Sequence, residues 1–161
     1  MASYRDKILD HPALLALAAR WRAAGDTIVL ANGCFDLLHV GHVRYLQAAA
    51  ALGDRLLVAI NSDASTRQLK GPGRPILPQR ARAELVAALR GVAAVTVFDQ
   101  LSVEPLLAAL RPHLHAKGTD YTPDTVPEAA TARALGIGVR IVGDPKHHST
   151  RDLLAHIAHP S

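Results

Sequence analysis

The sequence contains very little cysteine and few aromatic side chains. Its 161 residues include one cysteine, Cys34, together with one Trp, three Tyr and two Phe. A single cysteine excludes an internal disulfide and a structural zinc site built from several cysteines, and it favours a reducing compartment. Because 49% of the chain is apolar but only 4% is aromatic, the core is expected to consist mainly of Ala, Leu, Val and Ile. Such a core is typical of helices packed on a sheet.

Long apolar runs and a strong excess of one charge are also missing. No run approaches the roughly 18 uncharged residues of a membrane span, and the N-terminus lacks the apolar stretch of a secretory signal. The net charge is only +4, from 18 Lys and Arg against 14 Asp and Glu, and the basic residues are scattered instead of forming a stripe interleaved with aromatics. We therefore predict a soluble, cytoplasmic protein that binds neither nucleic acid nor membrane. Its basic residues and nine histidines are expected to converge on a phosphorylated small molecule.

The chain length and the alternation of apolar patterns predict one domain, residues 1–161, with an N-terminal helix within residues 1–25 appended to its core. Short β-branched runs alternate with segments of helical period along the whole chain. Strands are predicted at 27–31, 55–60, 94–98, 114–117 and 138–142. Helices are predicted at 42–52, 79–89, 103–110, 125–135 and 150–159.

This alternation predicts an α/β fold: a doubly wound sheet of about five parallel strands with helices on both faces. Ligands of such sheets bind beyond the carboxyl ends of the strands, where the strand order reverses. The loops that follow the strands are therefore expected to carry the chemistry. One stretch, 70–78, holds too many Gly and Pro for a helix or a central strand. It is interpreted either as a mobile substrate flap or as a plain surface loop.

The turn after the first predicted strand is the most informative part of the chain. Gly33 permits a tight turn, and Gly41 lies where a helix begins, so that a ligand can approach backbone N–H groups. His39 and His42 flank Gly41, which allows both imidazoles to face one bound anion and donate hydrogen bonds to it. Neither a Walker A motif nor a GxGxxG motif is present, which argues against a P-loop ATPase and a dinucleotide dehydrogenase.

The stretch GCFDLLHVGH, residues 33–42, resembles the HxGH motif of the cytidylyltransferase-like nucleotidyltransferase superfamily, whose fold is Rossmann-like. Three further stretches, at 61–89, 98–112 and 117–126, most closely resemble the family of D-glycero-β-D-manno-heptose 1-phosphate adenylyltransferases. The likeness extends over about residues 27–157. In some bacteria this activity is fused to a kinase; a chain of 161 residues has no room for one, so the resemblance is to the stand-alone form.

The resemblance implies in-line attack of a sugar phosphate on the α-phosphorus of ATP, with pyrophosphate released. It gives catalytic roles at the phosphates to His39, His42 and Lys70. Other positions are implied to bind the nucleotide: Asn32, Gly33, Cys34, Phe35, Gly41, Lys117, Gly118, Asp120, Ser149 and Thr150. A third set is implied to contact the sugar phosphate: Asp36, Asn61, Asp63, Arg74, Arg80 and Arg82.

Several of these assignments leave alternatives open. Asp36 is compatible with a helix cap, a hydrogen bond that orients a histidine, or a metal contact. Asp63 is suited to a substrate hydroxyl or to capping the next helix. Arg74 and Arg80 fit either a doubly charged phosphate or a solvated surface.

A divalent cation is expected because a triphosphate carries more charge than two imidazoles and a few bases can offset. Mg²⁺ held mainly by the ATP phosphates fits best, and no dedicated metal site is predicted. His147 and His148 depart from the family pattern, and their role is left open. Cys34 is interpreted as a packing or turn residue, because no partner that would activate it as a nucleophile is identifiable.

Two other functions compete with adenylyl transfer. A cytidylyltransferase for glycerol 3-phosphate or another phospho-alcohol would use the same HxGH turn, and a catalytically silent nucleotide-binding domain would bind ATP without releasing pyrophosphate. ATP and a sugar phosphate are the expected small-molecule partners. A homo-oligomer, a dimer or larger, is also expected, because small α/β transferases often pair through apolar helix faces.

Overall fold

The computed structural model describes residues 3–145 and 148–159. The described elements are, in chain order, a 3₁₀ turn (Tyr4–Lys7), α1 (His11–Ala23), β1 (Ile28–Gly33), α2 (Val40–Ala50), β2 (Arg55–Asn61), α3 (Asp63–Lys70), α4 (Gln79–Ala87), β3 (Val92–Phe98), α5 (Glu104–Leu110), β4 (Leu114–Lys117), α6 (Ala129–Ala134), β5 (Gly138–Ile141) and α7 (Thr150–Ala158). None of the helices in the described ranges has the length and apolar character needed to cross a membrane.

The five strands form one parallel sheet in the order β3-β2-β1-β4-β5. This confirms the predicted α/β fold. The chain order reverses between β1 and β4, so a crevice opens at their carboxyl ends, where ligands of such sheets bind. One face of the sheet packs on α1, α5 and α6, and the other packs on α2 and α4.

The central strands are continuous apolar runs because both of their faces are covered. Residues 28–31 of β1 and 56–60 of β2 are at most 1% exposed. Burying each Leu or Ile side chain of this kind contributes roughly 1.5–3 kcal/mol to the free energy of unfolding. The core is thus aliphatic, as the composition predicts, and it holds the carboxyl edge of β1 and β4 in a fixed position.

Two features of the fold differ from the prediction. The helix expected as an appendage is α1, and its Leu14 and Ala18 are buried within the core. The helix α3 was not predicted, since most of its residues are polar. It forms because Ser62 caps it by accepting a hydrogen bond from the Ser65 N–H, and it ends at Gly71, whose φ of +95° suits glycine.

Candidate nucleotide-binding site

The turn that follows β1 is wound unusually tightly. Phe35 and Leu37 both have left-handed backbone angles, with φ of 50° and 52°, which non-glycine residues seldom adopt and which concentrate at functional sites. The Phe35 ring is buried beneath the turn, 5.4 Å from the His42 ring and 6.5 Å from the Tyr45 ring between centroids. The side chain predicted to contact nucleotide is therefore a support for the turn, because its ring is packed in the core. An added Cβ at Gly33 would lie 3.2 Å from that ring, so the buried ring leaves little room for a side chain at this position.

His39 and His42 lie together at the start of α2. His39 caps the helix: its Nδ1 accepts from the Gly41 N–H at 3.1 Å, and its backbone N–H donates to His42 Nδ1 at 3.3 Å. The two rings stack with centroids 3.8 Å apart. Because each Nδ1 accepts a hydrogen bond, the neutral form of each ring carries its proton on Nε2. The backbone thus selects the tautomer in which both rings have a donor suited to phosphate oxygen.

Gly41 is required by the position of the His39 ring. An added Cβ at Gly41 would lie 2.9 Å from His39 Cε1 and 3.0 Å from His39 Nδ1, closer than real contacts allow. A side chain at this position would displace the imidazole from the helix N-terminus. The glycine predicted from the motif therefore serves the histidine as well as the approach of a ligand.

The N-terminus of α7 meets the same turn. Thr150 donates its hydroxyl to the Asp36 carbonyl at 2.7 Å. Ser149 caps α7, accepting from the Asp152 N–H and donating to the Asp152 carboxylate. Thr150 therefore lies against the HxGH turn, and both hydroxyls have protein partners. Contact of Ser149 and Thr150 with nucleotide stays a prediction. His148 is exposed, whereas His147 lies outside the described residues.

Asp36 has a different role from the three that the sequence left open. Its carboxylate, 2% exposed, accepts from Arg74 Nε and the Ile76 N–H at 2.8 Å each and from the Leu77 N–H at 3.0 Å. It therefore anchors the Gly/Pro loop, residues 71–78, to the turn that follows β1. Its prediction as a substrate contact was wrong because both of its oxygens are occupied within the protein. Arg74 is fixed in the loop by the same carboxylate.

Arg82 also belongs to the protein interior. Its guanidinium is 0% exposed and donates to the carbonyls of Leu77, Cys34 and Asn61 and to the Asp63 carboxylate. The prediction that it contacts substrate was wrong, because a buried charge is held by internal acceptors. Arg82 instead joins the turn after β1, the end of β2 and the loop 71–78.

Asn61 and Asp63, at the end of β2, complete this network. Asn61 is 4% exposed; it donates to Ser65 and accepts from the Cys34 thiol at 3.8 Å. Asp63 accepts from the Gln79 N–H at 2.7 Å, so it caps α4 from a distance. Asp63 is the first residue of α3, which Ser62 caps, so it is not the N-cap of that helix. The expected contact of Asn61 with substrate is corrected by its burial.

The two remaining basic positions are on the surface. Arg80 has a side chain 86% exposed and pairs with Glu84 one helical turn further along α4. Glu84 also accepts from Arg5 of the 3₁₀ turn, which places this cluster on the N-terminal segment instead of the nucleotide turn. Lys70 is the exposed last residue of α3 and directly precedes the loop 71–78.

Lys117, at the carboxyl end of β4, was expected to contact phosphate. The structure pairs its Nζ with Glu128 Oε2 at 3.5 Å and places it 4.8 Å from the Tyr121 ring centroid. Both side chains of the pair are less than a tenth exposed, so the lysine charge is already compensated. Sequence reasoning missed Glu128 because ten residues of irregular chain, 118–127, lie between it and Lys117.

The loop after β4 carries Gly118 and Asp120. It is tied to the loop after β5 by Thr119, whose hydroxyl donates to the Asp144 carbonyl at 2.8 Å. An added Cβ at Gly118 would meet nothing within 4 Å, and Asp120 is exposed. Both lie at the predicted edge of the sheet, beside the crevice.

His115 of β4 and Asn32 of β1 form a side-chain contact across the switch point between these two strands. His115 Nε2 lies 2.8 Å from Asn32 Oδ1. Burial, followed by the nearby Lys117 charge, lowers the pKa of His115 to about 3, so the ring is neutral at physiological pH. Sequence reasoning placed Asn32 at the site but missed His115, because a histidine inside a strand gives no motif.

The Asp36 anchor predicts a specific pH dependence of stability. Burial by itself raises the pKa of Asp36, but the hydrogen bonds from Ile76 and Leu77 and the Arg74 charge bring it below the ordinary 3.8. The stabilisation is therefore fully present above pH 3.8 and is lost as the pH falls through the lower folded-state pKa. In urea unfolding, the stability difference between the wild type and Asp36→Asn should be constant at neutral pH and shrink below pH 4. Asp124→Asn, at an exposed position, is the control. If the stability difference between the wild type and Asp36→Asn does not change with pH, the ionised Asp36 carboxylate does not stabilise the loop.

A parallel α/β sheet with a paired-histidine turn and two helix N-termini at its switch point defines the nucleotidyltransferase class. The chain belongs to the Cytidylyltransferase-like family, whose model matches residues 30–154. The turn, the histidines and the first residues of α7 lie within this match.

The chain is also similar to curated proteins that carry a name. The chain is 43% identical over 157 residues to the bifunctional protein HldE of Methylobacillus flagellatus and 45% identical over 148 residues to that of Koribacter versatilis. These matches cover 98% and 92% of this chain but 32% and 30% of the relatives. The chain therefore spans about a third of the length of the curated relatives that it matches.

A solved structure supports the same fold. It is described as the lipopolysaccharide core biosynthesis protein from Thermoplasma volcanium GSS1 and is 29% identical in sequence, with a TM-score of 0.63. The alignment covers 77% of this chain and all of that one.

Proposed function

We propose that this chain transfers the adenylyl group of ATP to D-glycero-β-D-manno-heptose 1-phosphate, forming ADP-heptose and pyrophosphate for the lipopolysaccharide inner core. The observation that carries the proposal is the pair of stacked histidines at the N-terminus of α2, each with Nδ1 engaged by backbone N–H. The high identity to HldE proteins over nearly the whole chain supports the choice of acceptor.

The proposed reaction is one in-line displacement. A phosphate oxygen of the sugar phosphate attacks the α-phosphorus, and the bond to the bridging oxygen breaks, so that its electron pair leaves on pyrophosphate. Negative charge grows on the phosphate oxygens, where the Nε2–H groups of His39 and His42 and the N-terminus of α2 stabilise it. Positioning and charge stabilisation supply the catalysis. The Cys34 thiol, directed at Asn61, takes no covalent part.

We also propose that Mg²⁺ enters as part of the ATP substrate. Within residues 3–145 and 148–159, no group of three or more His, Cys, Asp or Glu is arranged to hold a metal ion, and the Asp36 oxygens are used by the loop 71–78. This donor set fits a cation carried by phosphate oxygens and water, which is the usual preference of Mg²⁺ with nucleotides. Its charge would help to neutralise the triphosphate.

A pyrophosphate-release screen tests the function. The purified chain is assayed with ATP or CTP, each with Mg²⁺, against heptose 1-phosphate, glycerol 3-phosphate and phosphopantetheine. We expect release only with ATP and heptose 1-phosphate, together with ADP-heptose detected by mass spectrometry. Turnover of CTP with glycerol 3-phosphate, and none of ATP with the heptose, would replace the proposal with the cytidylyltransferase alternative. ATP binding without any release would indicate the silent domain.

A further inference from the structure

The contact between His115 and Asn32 joins a buried group to the open edge of the sheet. His115 pairs with Leu30 in the register of β4 and β1, so His115 and Asn32 lie on the same face of the sheet. His115 is 0% exposed, whereas Asn32 is half-buried at the carboxyl end of β1. The pair therefore links the interior to the crevice between β1 and β4.

The hydrogen-bond partners define which way the Asn32 amide faces. His115 Nδ1 has no partner within residues 3–145 and 148–159. An unpaired acceptor is tolerated in a protein interior more readily than an unpaired N–H, so the proton is placed on Nε2. Nε2–H then donates to Asn32 Oδ1, and the Asn32 amino group is directed away from β4. That amino group has no hydrogen-bond partner in the part of the chain that the structure describes.

This arrangement is unfavourable for the core by itself. A buried imidazole with one unpaired nitrogen loses hydration without full compensation, whereas leucine would fill a similar volume without that loss. Residues that break the rules of core packing in this way concentrate at functional sites. His115 is also not used in the proposed chemistry, since it is buried behind Asn32.

We propose that His115 is a positioning residue for nucleotide binding: it holds the Asn32 carboxamide so that the amino group donates a hydrogen bond to the bound nucleotide. The acceptor is an oxygen of the phosphate or the sugar, since the Asn32 amino group can only donate. This inference rests on the proposed function only in requiring that a nucleotide binds in the crevice between β1 and β4.

The test compares two substitutions of His115, one that removes its hydrogen-bond donor and one that keeps a donor. His115→Leu removes the donor, and His115→Gln retains an N–H near the position of Nε2. The measured quantity is the Kd of α,β-methylene-ATP with Mg²⁺, by calorimetry without acceptor. We expect His115→Leu to raise the Kd about tenfold, the size of one lost hydrogen bond to an ordered group, and His115→Gln to stay within about twofold of the wild type.

A double-mutant cycle shows whether His115 acts through Asn32. In an Asn32→Ala background, His115→Leu should change the Kd by less than about twofold, because the group that His115 holds is gone. Thermal unfolding of His115→Leu should match or exceed that of the wild type, which separates positioning from folding.

Three results would overturn the role of His115. They are an unchanged Kd in folded His115→Leu, equal losses in the Leu and Gln variants, or a full loss in the Asn32→Ala background. A wild-type chain that binds the analogue but makes no ADP-heptose would contradict the proposed function and leave this test valid.

Discussion

Replacing His42 with alanine should lower kcat for pyrophosphate release by about 10² or more, the usual cost of removing one donor that stabilises a transition state. The reason is geometric: the His39 N–H holds His42 Nδ1, and in the proposed reaction the Nε2–H of the same ring stabilises the charge that develops on the phosphate. Steady-state kinetics with saturating ATP and acceptor measure the effect.

Because His42 also takes part in the cap of α2, the alanine variant loses a structural contact as well. His42→Asn is the matched control, since its side-chain oxygen can accept from the His39 N–H at the position of Nδ1 but provides no donor at Nε2. Both variants should lose turnover, whereas only His42→Ala should lose stability, by about 1 kcal/mol. Near-normal kcat in His42→Asn would show that the imidazole does not stabilise the transition state.

Replacing Arg82 with alanine should lower the free energy of unfolding by about 3–5 kcal/mol, the range for breaking a buried charge pair. The substitution leaves three carbonyls and the Asp63 carboxylate without their shared donor. It also opens a cavity beneath the turn that follows β1. Urea unfolding followed by circular dichroism measures the change.

Arg80→Ala is the matched control for Arg82, because it removes the same side chain two positions away on α4. Because its side chain is 86% exposed, Arg80 should contribute within about 0.5 kcal/mol to the free energy of unfolding. Similar losses in the two variants would contradict the structural assignment of Arg82.

The sheet was predictable from the sequence because strands covered on both faces must be apolar along their whole length. Residues 28–31 of β1 and 56–60 of β2 show this pattern directly, and the parallel order follows from the helices between the strands. The helix α3 carries no such pattern, since a short helix with polar residues depends on its Ser62 cap and on tertiary contacts. Local periodicity therefore could not reveal it.

The residues of the site also differ in whether local sequence reveals them. His39, Gly41 and His42 could be singled out because they are close together in the chain, follow a buried strand and form an HxGH motif at a helix start. Charged residues such as Arg82 and Asp36 were not, because a sequence shows a charge but not whether carbonyls or amides from distant segments surround it. His115 was missed for a related reason: its partner is 83 positions away in the chain.

The attachment of the loop 71–78 has a consequence for how acceptor preference can change. Asp36 accepts from the Leu77 N–H, and Arg82 donates to the Leu77 carbonyl. Apart from the Arg74 side chain, the loop is therefore held by peptide groups, which almost any residue possesses. The exposed side chain of Ile76 takes no part in these hydrogen bonds. New acceptors can therefore be sought by varying loop side chains such as Ile76 in a library, while the backbone contacts that hold the loop stay the same.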